Sequence, residues 1–103
     1  MKTKNDKPAR TKSAKSGTRR VVFKVNAEPG SSVAVSGDFN KWDPQGKPLK
    51  DKLGNGTFSV TMMLAPGIYE YKFIINQTWC VDVNCKDWVP NSLGTLNSVL
   101  HVE

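Results

Sequence analysis

Histidine occurs once in this 103-residue sequence, as His101 two residues from the C-terminus. A Ser/His/acid triad therefore has no interior imidazole to draw on. Cysteine occurs twice, as Cys80 and Cys85. A C-x4-C pair with one distant histidine is not a zinc pattern, so no metal site is expected, and both thiols are expected free. No apolar run approaches the ~20 residues that span a bilayer. The basic N-terminus is not followed by the apolar stretch of a secretory signal. A cytoplasmic protein is the expectation. No stretch repeats at the 3.6-residue helical period, and no glycine-rich phosphate cradle leads from a strand into a helix, so no cofactor is expected.

Acidic residues are nearly missing from the first twenty positions. Lys2, Lys4, Lys7, Arg10, Lys12, Lys15, Arg19 and Arg20 stand there against Asp6 alone. The remaining seven bases and eight acids almost cancel, so the net charge of +6 belongs to the N-terminal segment and not to the body of the chain. That separation argues against a nucleic-acid-binding fold, which carries its charge on a folded face. Residues 1–19 also lack the apolar side chains whose burial offsets ordering entropy, and are expected to form a disordered basic tail. Residues 20–103 form the expected folded domain. The initial Met and this tail lead us to expect a complete small protein.

From Arg20 onward the sequence reads at period two. Val21, Phe23 and Val25 alternate with Val22, Lys24 and Asn26, and Val33 and Val35 with Ser32, Ala34 and Ser36. Phe58, Val60, Met62 and Leu64 share a face, as do Tyr69, Tyr71, Phe73 and Ile75, and then Leu96, Ser98, Leu100 and Val102. Glu28-Pro29-Gly30, Ala65-Pro66-Gly67 and Asn76-Gln77 break these runs, and Asn55-Gly56 carries the signal of a tight hairpin. Short strands separated by turns predict an all-β, antiparallel β-sandwich.

Glycoside hydrolysis needs two carboxylates facing each other across the scissile bond. The acids from Glu28 to Glu103 fall mostly in turns or on outward strand positions, and no pair is marked by its surroundings, so the chain is expected not to be an enzyme. Its aromatic side chains are more informative. Trp42 lies in the polar loop Gly37-Asp38-Phe39-Asn40-Lys41-Trp42-Asp43-Pro44, Trp79 follows a turn, and Trp88 lies in Cys85-Lys86-Asp87-Trp88-Val89-Pro90. Such rings either close over the core as lids or stay open for a partner. The apolar C–H face of a glucose ring matches a flat indole, and cationic and amide side chains match its hydroxyl rim. Lys72, opposite in face to Tyr71 and Phe73, points outward, as does the row Thr95, Asn97 and His101.

Four runs in order carry a resemblance to a known family. They are Val35-Ser36-Gly37-Asp38-Phe39-Asn40-Lys41-Trp42, Gly67-Ile68-Tyr69-Glu70-Tyr71-Lys72-Phe73, Thr78-Trp79, and Leu93-Gly94-Thr95-Leu96-Asn97-Ser98-Val99-Leu100. Together they resemble the glycogen-binding domain of AMP-activated protein kinase β subunits, in carbohydrate-binding module family 48, which also precedes the catalytic domain of isoamylases and branching enzymes. The resemblance implies an immunoglobulin-like sandwich that binds α-1,4-linked glucan without catalysis. It implies sugar stacking on Trp42 and Trp79, hydroxyl contacts from Lys72, Thr95 and Asn97, and threading of Leu93 into a curved glucan. The sequence departs from the family at Asn76-Gln77-Thr78, where kinase-type domains carry an Asp-Gly turn, and over Cys80–Ser92, which differs in length and holds Trp88. We expect Trp88 to be a packing lid, and Asp38, Phe39 and Asn40 to shape their loop. Two other readings are a regulatory or targeting module that docks on a separate glucan-metabolising enzyme or kinase, and a remnant of an α-amylase-class glycoside hydrolase.

Overall fold

The computed structural model describes residues 17–103. The expected basic tail lies outside the described residues over 1–16, and its last residue, Arg19, already belongs to a strand. The described residues form eight strands: β1 (Arg19–Asn26), β2 (Val33–Gly37), β3 (Lys47–Pro48), β4 (Thr57–Leu64), β5 (Gly67–Ile75), β6 (Thr78–Cys80), β7 (Trp88–Pro90) and β8 (Leu96–Val102). Among the described residues a single 3-10 turn, Asp38–Asn40, interrupts them. All strand pairs are antiparallel. Strands β1 and β4 form a two-stranded sheet, and the second sheet runs β3-β2-β5-β8-β7 with β6 also paired to β5.

The period-two pattern sets which side chains meet between the sheets. Phe23, Val25, Phe58 and Leu64 of the small sheet bury against Val33, Val35, Tyr71, Phe73 and Val102 of the large one. Phe23 meets Tyr71 edge-on at 5.2 Å between ring centroids, and Tyr71 meets Phe73 likewise at 5.9 Å. The expected all-β sandwich is the fold. Tyr71 also pins the long loop after β6. Its hydroxyl donates to Asp82 Oδ2 at 2.8 Å, and the Asp82 amide donates to Ser98 Oγ at 2.9 Å. Burial first, and the Asp82 carboxylate second, push the Tyr71 phenol well above its ordinary pKa and keep it neutral.

Three local expectations need correction. Asn55-Gly56 does not make a tight two-residue hairpin. The chain leaves an isolated Lys50–Ser59 bridge in a wider loop, closed by Asp51, whose carboxylate accepts from the amides of Asn55 and Gly56. Strand β2 is buried at every position and not on alternate ones, because the loop after it folds back over its outer face. Trp88 is no closed lid. It stays 46% exposed on β7, at the edge of the large sheet, its indole held at 3.4 Å by the Asp82 carbonyl.

Candidate functional site

The outer face of the large sheet, turned away from the core, carries the side chains that interrupt the apolar pattern. Cross-strand register aligns Ala34 with Ile74, Ser36 with Lys72, and Ile74 with Trp79, all on this face. Strand β5 changes partner midway. Residues 67–71 pair with β8 and residues 73–75 with β6, so Lys72 stands at the junction between the two. Trp79 projects from β6 on one side of that junction and Asn97 from β8 on the other.

The hairpin that presents Trp79 turns through Asn76 and Gln77, with φ of 50° and 71°. Two successive left-handed residues make the mirror-image turn that suits the twist of tight hairpins. Asn tolerates that conformation well and Gln less so. Both polar ends of the Asn76 side chain are engaged, with Ser32 N donating to Oδ1 at 3.0 Å and Nδ2 donating to Ser31 Oγ at 3.2 Å.

Trp42 is placed by the loop after β2. Gly37 begins it where no side chain fits, since a Cβ there would lie 2.3 Å from the Glu70 carbonyl oxygen. Asn40 ties the turn down by accepting from Gly37 N at 2.9 Å and donating to Val35 O at 3.2 Å. Lys41 and Trp42 then adopt left-handed φ values of 58° and 56°. Such conformations persist in bulky residues only where their surroundings enforce them. Here the Trp42 amide donates to Gly37 O at 2.9 Å, and its indole N–H donates to Asp38 Oδ1 at 3.0 Å. The other Asp38 oxygen accepts from Glu70 N at 2.7 Å, fixing the indole to β5. Phe39 packs against Phe23 and Tyr69. The run expected to shape this loop does so. The Trp42 and Trp79 rings end 6.3 Å apart between centroids, inclined by 37°.

The third wall is the turn between β7 and β8. Gly94 N donates to Asn91 O at 3.2 Å, and Gly94 takes a φ of 83°, open to glycine at little cost. Leu93 rides on this turn 87% exposed. Beneath it, Lys72 Nζ donates to Thr95 Oγ1 at 2.8 Å, and Asn97 Nδ2 donates to Glu70 Oε1 at 2.9 Å. Asn97 does lie on the outer face but is only 7% exposed, since the turn covers it.

Trp42, Lys72, Trp79, Leu93, Thr95 and Asn97 thus line one open cavity of about 530 Å³, joined by Asn91 and Ser92. Asn91 was missed in the sequence, although Asn-x-x-Gly over 91–94 is a turn signature that marks it. Trp88 belongs to the opposite face, in register with inward-facing Ser98, and takes no part. No group of three His, Cys, Asp or Glu among the described residues could hold a metal ion.

Two inclined indoles, an exposed leucine and polar donors gathered at one open cavity are the arrangement of a binding module, suited to an extended, partly apolar, hydroxyl-rich ligand. Comparison with known proteins makes the class specific. Residues 15–103 match the family model described as the glycogen recognition site of AMP-activated protein kinase, and the chain belongs to that family of non-catalytic carbohydrate-binding modules. The chain is 31% identical over 77 residues to 5'-AMP-activated protein kinase subunit beta-2 of Homo sapiens, covering 75% of this chain and 27% of that one. It is 31% identical over 90 residues to subunit beta-1 of Sus scrofa, covering 87% and 69%. It is 38% identical over 60 residues to Protein FLOURY ENDOSPERM 6, chloroplastic, of Oryza sativa subsp. japonica, covering 58% and 11%. The chain therefore spans about a tenth of the rice relative and about a quarter of the human one.

Proposed function

We propose that the groove between Trp42, Trp79 and Leu93 binds α-1,4-linked glucan such as glycogen, starch or a maltooligosaccharide, with no chemistry done on it. The observation that carries this reading is the convergence of both tryptophans with Lys72, Thr95 and Asn97 on one cavity. Indole planes inclined by 37° suit successive rings of a chain that curves. Burial of the sugar's C–H face supplies most of the affinity, and the Lys72, Thr95 and Asn97 donors fix orientation. Leu93, exposed at its turn, fills the concave side of the curve.

Family membership supports a second layer. The human and pig relatives are kinase β subunits by name, so we propose that the chain brings a kinase or a glucan-metabolising enzyme to the polymer, within the cytoplasm. Titration with β-cyclodextrin, followed by tryptophan fluorescence, tests the first layer. A saturable change is expected. A spectrum unmoved at millimolar sugar contradicts the reading. Recovery of a kinase or glucan enzyme from lysate in a way that survives competing oligosaccharide tests the second.

A further inference from the structure

We propose that Asn91 is a positioning residue that sets Lys72, Thr95 and Asn97, on the polar rim of this groove, to face the ligand as hydrogen-bond donors. The inference rests on the groove being the glucan site and concerns how that site reads hydroxyls.

The polarity is imposed from the backbone. The amides of Leu93 and Thr95 both donate to one end of the Asn91 side chain, at 3.0 and 3.1 Å. A backbone N–H only donates, so that end is the carbonyl oxygen and the other is the NH2 group. The NH2 group donates to Thr95 Oγ1 at 2.7 Å and to Asn97 Oδ1 at 3.0 Å. All four hydrogen-bonding positions of Asn91 are thereby used inside the protein. Asn97 is oriented in turn, its oxygen toward Asn91 and its nitrogen toward the Glu70 carboxylate.

The consequence falls on the side chains that face the cavity. Thr95 Oγ1 accepts from both Asn91 Nδ2 and Lys72 Nζ, so its two lone pairs are occupied and its proton is left for a third partner in the groove that Thr95 lines. Lys72 spends one of its three protons on Thr95 and keeps two. Asn97 spends one N–H on Glu70 and keeps the other. These three side chains therefore meet a sugar hydroxyl as an acceptor, through its oxygen lone pairs. A threonine hydroxyl left to itself could serve either way. Asn91 removes that choice before the ligand arrives, so no reorganisation accompanies binding.

Asn91→Asp separates polarity from shape. The aspartate still accepts from the Leu93 and Thr95 amides, but its second oxygen pulls the Thr95 proton inward and repels Asn97 Oδ1. With β-cyclodextrin as probe at neutral pH, Asn91→Asp is expected to bind at least tenfold more weakly while the Leu93 and Thr95 amides keep their protection from hydrogen exchange. Thr95→Val is expected to bind at least fivefold more weakly than wild type. Binding by Asn91→Asp within twofold of wild type overturns the proposal, as does Thr95→Val binding like wild type. Loss of amide protection together with affinity in Asn91→Asp also overturns it, because Asn91 would then act through turn formation alone. Failure of the wild-type protein to bind the sugar removes the glucan reading itself and this inference with it.

Discussion

Asp38 shows how a residue outside the proposed groove can set the geometry within it. One oxygen holds the indole N–H of Trp42 and the other a backbone amide of β5, so a short carboxylate sets the angle of a large ring. Trp42 has a left-handed backbone and no strand of its own, and without this tether its indole is free to turn. Asp38→Ala is therefore expected to weaken β-cyclodextrin binding several-fold by calorimetry. The loss of two charge-assisted hydrogen bonds at an exposed position should lower stability by about 1 kcal/mol, measurable as a shift in the urea midpoint. Asp38→Asn, which still offers one acceptor oxygen, should restore part of the affinity. Asp38 stood in the sequence as a loop-shaping residue, but nothing in the order of residues showed its link to Glu70, 32 positions away.

At the scale of elements, the β-hairpin between β5 and β6 decides where Trp79 sits. Its turn places Gln77 at a φ of 71°, which costs a non-glycine residue about 1 kcal/mol. Gln77→Gly is expected to raise stability by about 0.5–1 kcal/mol in urea unfolding, with sugar affinity unchanged, since the register Ile74–Trp79 stays the same. Lower stability would show that contacts of the Gln77 side chain outweigh its backbone strain. The strands themselves were legible because each buries one face, and burial imposes the alternation seen in β1, β4 and β5. Strand β2 was only half legible, since Ala34 and Ser36 look like solvent positions until the Trp42 loop is laid over them. The Asn55-Gly56 signal misled for a related reason: Asp51 offers its amides a better acceptor than a tight turn does. Strands β3 and β7 are two and three residues long, too short to show any period.

For the whole molecule, the sandwich keeps two chemistries apart on one sheet. The inner face holds Tyr71 and Phe73 in the core, and the outer face holds Lys72 and Trp79 in the groove, one residue out of phase. The six candidate site residues were legible as a set only through resemblance, because no spacing rule joins positions 42, 72, 79 and 93–97. Their supporting bonds through Asn91 and Glu70 required the fold. The core carries its own pH signature. Tyr71 is kept neutral by burial and by Asp82, so its folded pKa lies above its unfolded value of about 10. Its contribution to stability is complete below pH 10 and falls as pH rises beyond that value. Tyr71→Phe should cost about 1 kcal/mol at pH 7 through the lost hydrogen bond, and its stability should decline less than that of wild type between pH 9 and 11 in guanidinium titrations. An equal decline in both would show that other groups govern the alkaline limit.

The central claim is that Trp42 and Trp79 form one sugar platform, and calorimetric titration of wild type, Trp42→Ala and Trp79→Ala with β-cyclodextrin tests it most directly. Each ring should supply about 1–3 kcal/mol of stacking. The account predicts saturable binding by wild type and losses of roughly five- to 150-fold in each variant, with circular dichroism spectra and melting temperatures near those of wild type. Wild-type affinity in both folded variants would contradict it.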